Sequence, residues 1–239
     1  VVFTLLPFVL LRIVAYPIIQ RDLKTVIMED LEITGHKQAE LVSSWMRERM
    51  KDTLVVANNP YMAKSVEVTQ KNKEYQGFLR YLEMVAAEYG YMGAFVSNEE
   101  GVITVSTFEK IVGNNISKTD YFRNAIKGKT FTTGVVPSET PLLNEYGELE
   151  VDLPTMLVAA PLKDSDENII GVVALRIHLG ILSNLMLSNK FGKTGETYLV
   201  NKDGFMLTES RFSKHLKKEG IIQKRSALEL RLVNPETGE

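Results

Sequence analysis

A repeated sequence pattern places the strongest limit on how this chain can fold. Two pairs of short apolar runs, over 94–106 and 198–210, each enclose a polar turn that contains a glycine, and the glycines Gly101 and Gly204 are 103 residues apart. Apolar runs around a polar turn with glycine predict a β-hairpin, and a repeat of this length is the size of a small domain. The sequence therefore predicts two tandem copies of one sheet-based module. We expect the second copy to have one residue fewer in its turn and to be cut off at Glu239.

The composition is that of an ordinary globular protein, and it excludes several classes of function. Hydrophobic residues make up 44% of the chain and charged residues 24%, which excludes wholesale disorder and a protein with many membrane spans. The formal net charge of −2 gives no support to a nucleic-acid-binding surface. The chain has no cysteine, so disulfides, thiolate zinc sites and a cysteine nucleophile are excluded.

The first nineteen residues are more apolar than any later stretch. Fifteen of them are apolar, and the exceptions are Thr4, Pro7, Arg12 and Pro17. Since a membrane-spanning helix needs about 20 apolar residues, we interpret 1–19 as part of a transmembrane helix. Arg12 argues against this, because an arginine at the bilayer centre costs about 2.5–3.5 kcal/mol unless its side chain snorkels. A signal-peptide core and a buried helix remain alternatives.

Residues 20–57 are predicted to form one long stalk helix. Apolar residues recur every four positions, which is a helical period, at positions 23, 27 and 31 and again at 42, 46, 50 and 54. Gly35 allows a bend or break, and Asn58-Asn59-Pro60 ends the helix because the residue before proline avoids helical angles. The narrow apolar stripe suits both a homodimer through this helix and packing against its own domain.

The remainder reads as helices packed on an antiparallel sheet, an α+β fold. A second helix is predicted over 73–89, a hairpin over 93–106 and a short helix over 118–127 that is capped by Thr119 or Asp120. Strands are predicted over 130–136, 155–162 and 169–179, with the acidic interval 139–153 as a loop.

Several motifs, in this order, resemble the double-Cache extracytoplasmic sensor domains of bacterial and archaeal receptors. The long helix is followed by DYFRNAIKGK (120–129), VAAPL (158–162), NIIGVVALRI (168–177) and GETYLVNKDG (195–204). The resemblance covers residues 20–239. It implies a membrane-distal PAS-like module over 58–185, which binds a small molecule, and a smaller membrane-proximal module over 186–239, which is incomplete here.

The resemblance also directs attention to Arg176. The amino-acid-binding members of the family have an Arg-x-Trp-Tyr run and an aspartate in the strand after Gly-Val, and this chain has neither. Arg176 stands at the aspartate position, so we expect an anionic ligand such as a carboxylate, bound by the forked guanidinium. An arginine on the exposed face, or one bridged to the acidic loop, is the structural alternative. The candidate ligand-binding residues are Arg176, Tyr121, Thr133, Met156 and Ala174.

Neither a catalytic site nor a metal or cofactor site is predicted. The three histidines (His36, His178 and His215) are not at metal-ligand spacing. Gly192-Lys193-Thr194 lacks the glycine that a phosphate-binding loop has five residues earlier. No serine stands in a Gly-x-Ser-x-Gly motif.

The resemblance implies the sensor of a transmembrane signalling protein in the cell membrane, with the sensor in the periplasm or outside the cell. A histidine kinase is the first expectation for the output, on family frequency. A methyl-accepting chemotaxis receptor and a diguanylate cyclase use the same type of sensor, and a non-signalling, membrane-anchored binding module is the rival class. Ligand binding would shift a two-state equilibrium of the sensor.

Overall fold

The computed structural model describes residues 11–138, 141–144, 148–188 and 195–233. By its internal contacts the chain divides into two units, Val1–Trp45 and Met46–Glu239. Residues 1–10 of the predicted span lie outside the described residues. In the ranges that are described, no helix is both long enough and apolar enough to cross a bilayer.

The predicted long helix is confirmed. After a π-helical turn at Leu11–Ala15, helix α1 extends over Tyr16–Ala57 and continues through Gly35 without a break. It ends just before the Asn-Asn-Pro sequence. Helix α2 (Tyr75–Tyr89) ends at Gly90, which has a left-handed φ of 71° and donates its N–H to the carbonyl of Ala86.

The antiparallel sheet is also confirmed. The strands among the described residues are β1 (Tyr91–Asn98), β2 (Ile103–Ser106), β3 (Phe131–Thr132), β4 (Val136–Pro137), β5 (Leu142–Leu143), β6 (Leu149–Glu150), β7 (Pro154–Lys163) and β8 (Ile169–His178). The main sheet has the order β2-β1-β8-β7-β3, and β4 pairs with β7 as well. Strands β5 and β6 pair with each other, within the interval that was expected to be a loop.

The predicted strand over 130–136 is two short strands, β3 and β4, and Thr133 explains the division. Its backbone N–H donates to the carbonyl of Leu157 at 2.9 Å, but the N–H of Leu157 donates to the Thr133 hydroxyl oxygen at 2.9 Å instead of to a carbonyl. A side chain thus replaces one bond of the ladder, and regular pairing resumes only at Val136, which lies opposite Thr155.

Three further α-helices are described, α3 (Asp120–Ala125), α4 (Leu179–Ser188) and α5 (Ser213–Lys218), together with 3₁₀-helices at Met62–Val66 and Glu109–Ile111. Helix α2 packs on β1 and β2, whereas α3 packs on β7 and β3. The Thr119 side chain caps α3 by accepting the N–H of Phe122 at 3.4 Å. Phe122 and Ala125 of α3 are buried in one apolar cluster with Phe95 of β1 and with inward-facing residues of β7 and β8.

The two repeated turns have the same local structure. In the first, Gly101 (φ 80°) donates its N–H to the Asn98 carbonyl, and in the second Gly204 (φ 83°) donates to the Asn201 carbonyl. The side chain of each asparagine also accepts the N–H of the residue that follows the glycine, at 2.8 and 2.9 Å. The prediction of one residue fewer in the second turn is therefore wrong, because both turns place glycine three residues after asparagine.

We refer to residues 195–233 as the C-terminal segment. Within it, antiparallel bridges join Val200 to Met206 and Phe205 to Arg231. The side chains of Met206, Ile222 and Ala227 are buried. Helix α4 crosses position 185/186, where the sequence places the boundary between the modules. That boundary stays a prediction.

Candidate ligand-binding face

Arg176 lies in β8, between β1 and β7 in the middle of the main sheet. Its register partners are Gly93 on β1 and Leu157 on β7, and Thr133 follows β3 opposite Leu157. Directly opposed residues in an antiparallel sheet project from the same face. Arg176 and Thr133 therefore share one face, with Leu157 between them.

Ala174 lies on this face one row away, and Tyr121 adjoins it from helix α3. Ala174 pairs with Phe95 on β1 and is fully buried. The half-buried Tyr121 meets Phe95 edge to face, with ring centroids 6.3 Å apart at 66°. Four of the predicted site residues thus belong to one side of the sheet, which we call the Arg176 face: Arg176, Ala174, Thr133 and Tyr121.

Met156 does not belong to this face. It pairs with Ile177 and is next to Leu157 along β7, and neighbouring side chains of a strand point to opposite faces. Met156 is buried on the other side of the sheet. The sequence did not reveal this, because each of these strands is almost continuously apolar and has no alternation to show its two faces.

His178 lies at the end of the Arg176 face and was missed by the sequence analysis. It is two residues beyond Arg176 in β8, so its side chain projects to the same side. Its ring is half-buried, and its Nδ1 accepts the N–H of Gly180 at 2.9 Å. The signal in the sequence is the two-residue spacing from Arg176, which puts both side chains on one face of a strand.

A polar cluster connects α1 to the strand beside Arg176. The Tyr91 hydroxyl donates to Asp52 at 2.8 Å, and Arg49 pairs with Asp52 at 3.4 Å while lying 5.4 Å from the Tyr91 ring centroid. Burial of Tyr91, together with its hydrogen bond to Asp52, raises the pKa of this phenol far above its ordinary value. Tyr91 is only two residues before Gly93, the register partner of Arg176.

A groove of about 800 Å³ lies where the end of the main sheet meets the C-terminal segment. Its lining includes His178 and Pro154 from the sheet and Glu209 and Arg225 from the C-terminal segment. We call it the junction groove. The side chain of Arg225 is ion-paired with Glu150 of β6, and both side chains are largely buried.

Hydrogen bonds to two glutamates order the walls of this groove. The Glu209 carboxylate accepts hydrogen bonds from the hydroxyls of Ser213 and Ser226, at 3.0 and 2.8 Å. Glu229 accepts the backbone N–H groups of 223–225. Burial raises the pKa of the Glu229 carboxyl, but these N–H groups outweigh it and lower the pKa. For the described residues, no group of three His, Asp or Glu side chains is placed to hold a metal ion.

The comparison with family models decides the classification. A model of the Cache domain, dCache_1, matches residues 19–237, almost the entire chain. The chain belongs to the Cache family. Cache domains are extracytoplasmic sensors of membrane receptors. A search of the curated proteins finds no match to this chain.

Solved structures of sensor domains have the same fold as this Cache domain. The sensor domain of the Vibrio cholerae histidine kinase DctB is 14% identical with a TM-score of 0.54, over 75% of this chain and 67% of that one. The ligand-binding domain of the Campylobacter jejuni chemoreceptor Tlp3, solved with 4-methylisoleucine, is 15% identical with a TM-score of 0.52, over 78% of this chain and 70% of that one. The ligand-binding domain of the Pseudomonas fluorescens chemoreceptor CtaA, solved with L-serine, is 17% identical with a TM-score of 0.51, over 86% of this chain and 77% of that one.

Proposed function

We propose that this Cache domain is the extracytoplasmic sensor of a transmembrane histidine kinase and binds a small carboxylate or similar anion on the Arg176 face. The observation that carries the proposal is the position of Arg176. A guanidinium in a central strand shares one side of the sheet with the Thr133 hydroxyl, and the half-buried Tyr121 packs against Phe95 on the same side. A guanidinium forms two parallel hydrogen bonds to a carboxylate, and phenol and hydroxyl groups supply further donors.

A route from this face to the long helix supports a signalling role. Arg176 pairs with Gly93, and Tyr91 in the same strand is bonded to Asp52 of α1. A ligand that binds the Arg176 guanidinium would bias the position of β1 and, through Tyr91, the position of α1. Such a ligand shifts the equilibrium only by its difference in affinity for the two states.

The binding proposal is tested by thermal unfolding with organic acids, amino acids and amines. A carboxylate at a hundred times its Kd should stabilise the wild-type domain by about 2.7 kcal/mol. Arg176→Ala should abolish this stabilisation, since a hydrogen bond to a charged group contributes about 1.5–3 kcal/mol. Arg176→Lys should restore part of it, because an ammonium lacks the planar fork.

Arg123→Ala is the matched control, because Arg123 is an exposed arginine of α3. It should leave the carboxylate response unchanged. Carboxylate stabilisation that persists in Arg176→Ala would contradict the proposal. Stabilisation by amines alone would also contradict it, and a response to amino acids only would indicate the ligand class named for Tlp3 and CtaA.

The output is tested separately from the ligand. If the full gene encodes a second apolar span and a kinase region after residue 239, the histidine kinase proposal is supported. A methyl-accepting or cyclase region would replace the kinase but keep the sensor. Without a second span, the non-signalling binding module becomes the better description.

A further inference from the structure

We infer that the junction groove is a second binding site, one that takes a small anion with several negative charges. Its volume of about 800 Å³ lies within the usual range of roughly 300–1,000 Å³ for small-molecule sites. Its described lining contains His178 but none of the four residues that define the Arg176 face. The inference therefore goes beyond the proposed function and stands whether or not Arg176 binds a ligand.

The charge of the lining favours an anion. Among the described lining residues, five carry a positive charge and two a negative charge, although the whole chain has a formal net charge of −2. The cations are Arg211, Lys214, Lys217, Lys224 and Arg225, and the carboxylates are Glu150 and Glu209. Both carboxylates are already engaged, because Glu209 accepts hydrogen bonds from two serines and Glu150 pairs with Arg225.

The lysines are the groups available to a ligand. No described residue forms a hydrogen bond or ion pair with the ammonium groups of Lys214, Lys217 or Lys224. Lys214 and Lys217 are three positions apart on α5, so both lie on one side of this helix. An anion with several charges would satisfy these ammonium groups together, whereas a single carboxylate would leave most of their repulsion in place.

Glu150 shows that the groove accepts a carboxylate. It belongs to β6, 75 positions from Arg225, and its carboxylate contacts the Arg225 guanidinium directly. Asn144 donates a second hydrogen bond to Glu150 at 3.3 Å. An entering anion competes with Glu150 for Arg225, so binding would loosen the link between β6 and the C-terminal segment.

Isothermal titration calorimetry with citrate and with inorganic phosphate tests the inference. The titrations use the Arg176→Ala chain as well as the wild type, so that binding on the Arg176 face is separated from binding in the groove. Lys214→Gln with Lys224→Gln should weaken citrate binding roughly five- to twentyfold, from the usual contribution of exposed charge pairs. Glu150→Gln should strengthen it roughly threefold or more, because Arg225 loses its internal competitor.

Lys218→Gln is the matched control, because Lys218 belongs to the same helix but does not line the groove. It should change the affinity less than about twofold. Absence of citrate and phosphate binding in the Arg176→Ala chain overturns the inference, and so does equal weakening by Lys218→Gln. A third outcome also overturns it. If the protein binds phosphatidylglycerol vesicles through these lysines but binds neither soluble anion, the basic groups bind a lipid surface and not a small anion.

Discussion

Three polar side chains hold the end of α1 against the first strand of the sheet. Tyr91 donates its hydroxyl proton to Asp52, and Arg49 pairs with Asp52 while it donates to the carbonyl of Tyr89 at 3.2 Å. Tyr91 is 7% exposed, so removing its hydroxyl leaves the Asp52 carboxylate without this hydrogen bond. Such a loss next to a charged group costs about 1.5–3 kcal/mol.

The first prediction concerns stability at high pH. The folded-state pKa of Tyr91 is raised above its ordinary value of 10, so the folded protein retains a proton that the unfolded chain loses above that pH. The stabilisation is therefore complete below pH 10 and declines as the pH rises further. We expect Tyr91 to contribute a fall of about 1.4 kcal/mol per pH unit to the free energy of unfolding above pH 10, measured by urea unfolding.

Tyr91→Phe should remove this contribution and lower the free energy of unfolding at neutral pH. Tyr89→Phe is the control. The Tyr89 side chain is exposed, so removing its hydroxyl should change the free energy of unfolding little at neutral or at alkaline pH. An identical alkaline slope in wild type and Tyr91→Phe would show that the hydroxyl does not stabilise the folded state through Asp52.

At the scale of elements, the repeated turns depend on glycine in the left-handed region. Gly204 has a φ of 83°, and a Cβ on it would lie 2.8 Å from the backbone oxygen of Leu232. Gly220 also has a positive φ, of 71°, but nothing lies within 4 Å of its Cβ position. Alanine at Gly220 therefore measures the free-energy cost of the left-handed conformation alone, whereas alanine at Gly204 adds the cost of a steric clash.

We predict that Gly220→Ala lowers the free energy of unfolding by about 1–2 kcal/mol, the cost of a left-handed residue. Gly204→Ala should cost clearly more, because the backbone oxygen of Leu232 must also move. Chemical denaturation of the two variants measures both costs. Equal losses of stability in the two variants would show that the backbone at Leu232 moves away from the added Cβ without destabilising the fold.

At the scale of the whole molecule, the long helix carries an apolar stripe. Leu23, Ile27 and Leu31 recur every four residues in α1, and 40–57% of each residue's surface is exposed. Apolar residues at helical spacing are the usual contact surface between two parallel helices. We therefore keep the homodimer through α1 as a proposal.

Sedimentation equilibrium of the chain from residue 20 onward tests the dimer. Replacing Leu23, Ile27 and Leu31 together by glutamine should weaken the dimer by at least tenfold, since each buried aliphatic side chain contributes about 1.5–3 kcal/mol. The matched control replaces three exposed apolar residues outside this helix: Leu149, Val151 and Ile221. A monomeric wild-type chain, or equal weakening by the control, would reject the α1 interface.

The sequence alone was sufficient for the elements that depend on local interactions. The period of α1, its end before Pro60, and the presence of the two glycine turns are set by residues a few positions apart, so they were predictable, although the length of the second turn was predicted wrongly. The position of Arg176 in a strand was predictable for the same reason. The family was recognisable because several such local motifs occur in a fixed order.

Only the tertiary structure decided which residues meet. Strand register placed Thr133 and Ala174 on the same face as Arg176 and placed Met156 on the other, because apolar strands buried on both sides do not reveal their faces. The junction groove joins Glu150 to Arg225, and His178 to α5, across distances that no local pattern records. Such contacts arise from the packing of the sheet against the C-terminal segment, so their charges become a site only when the chain is folded.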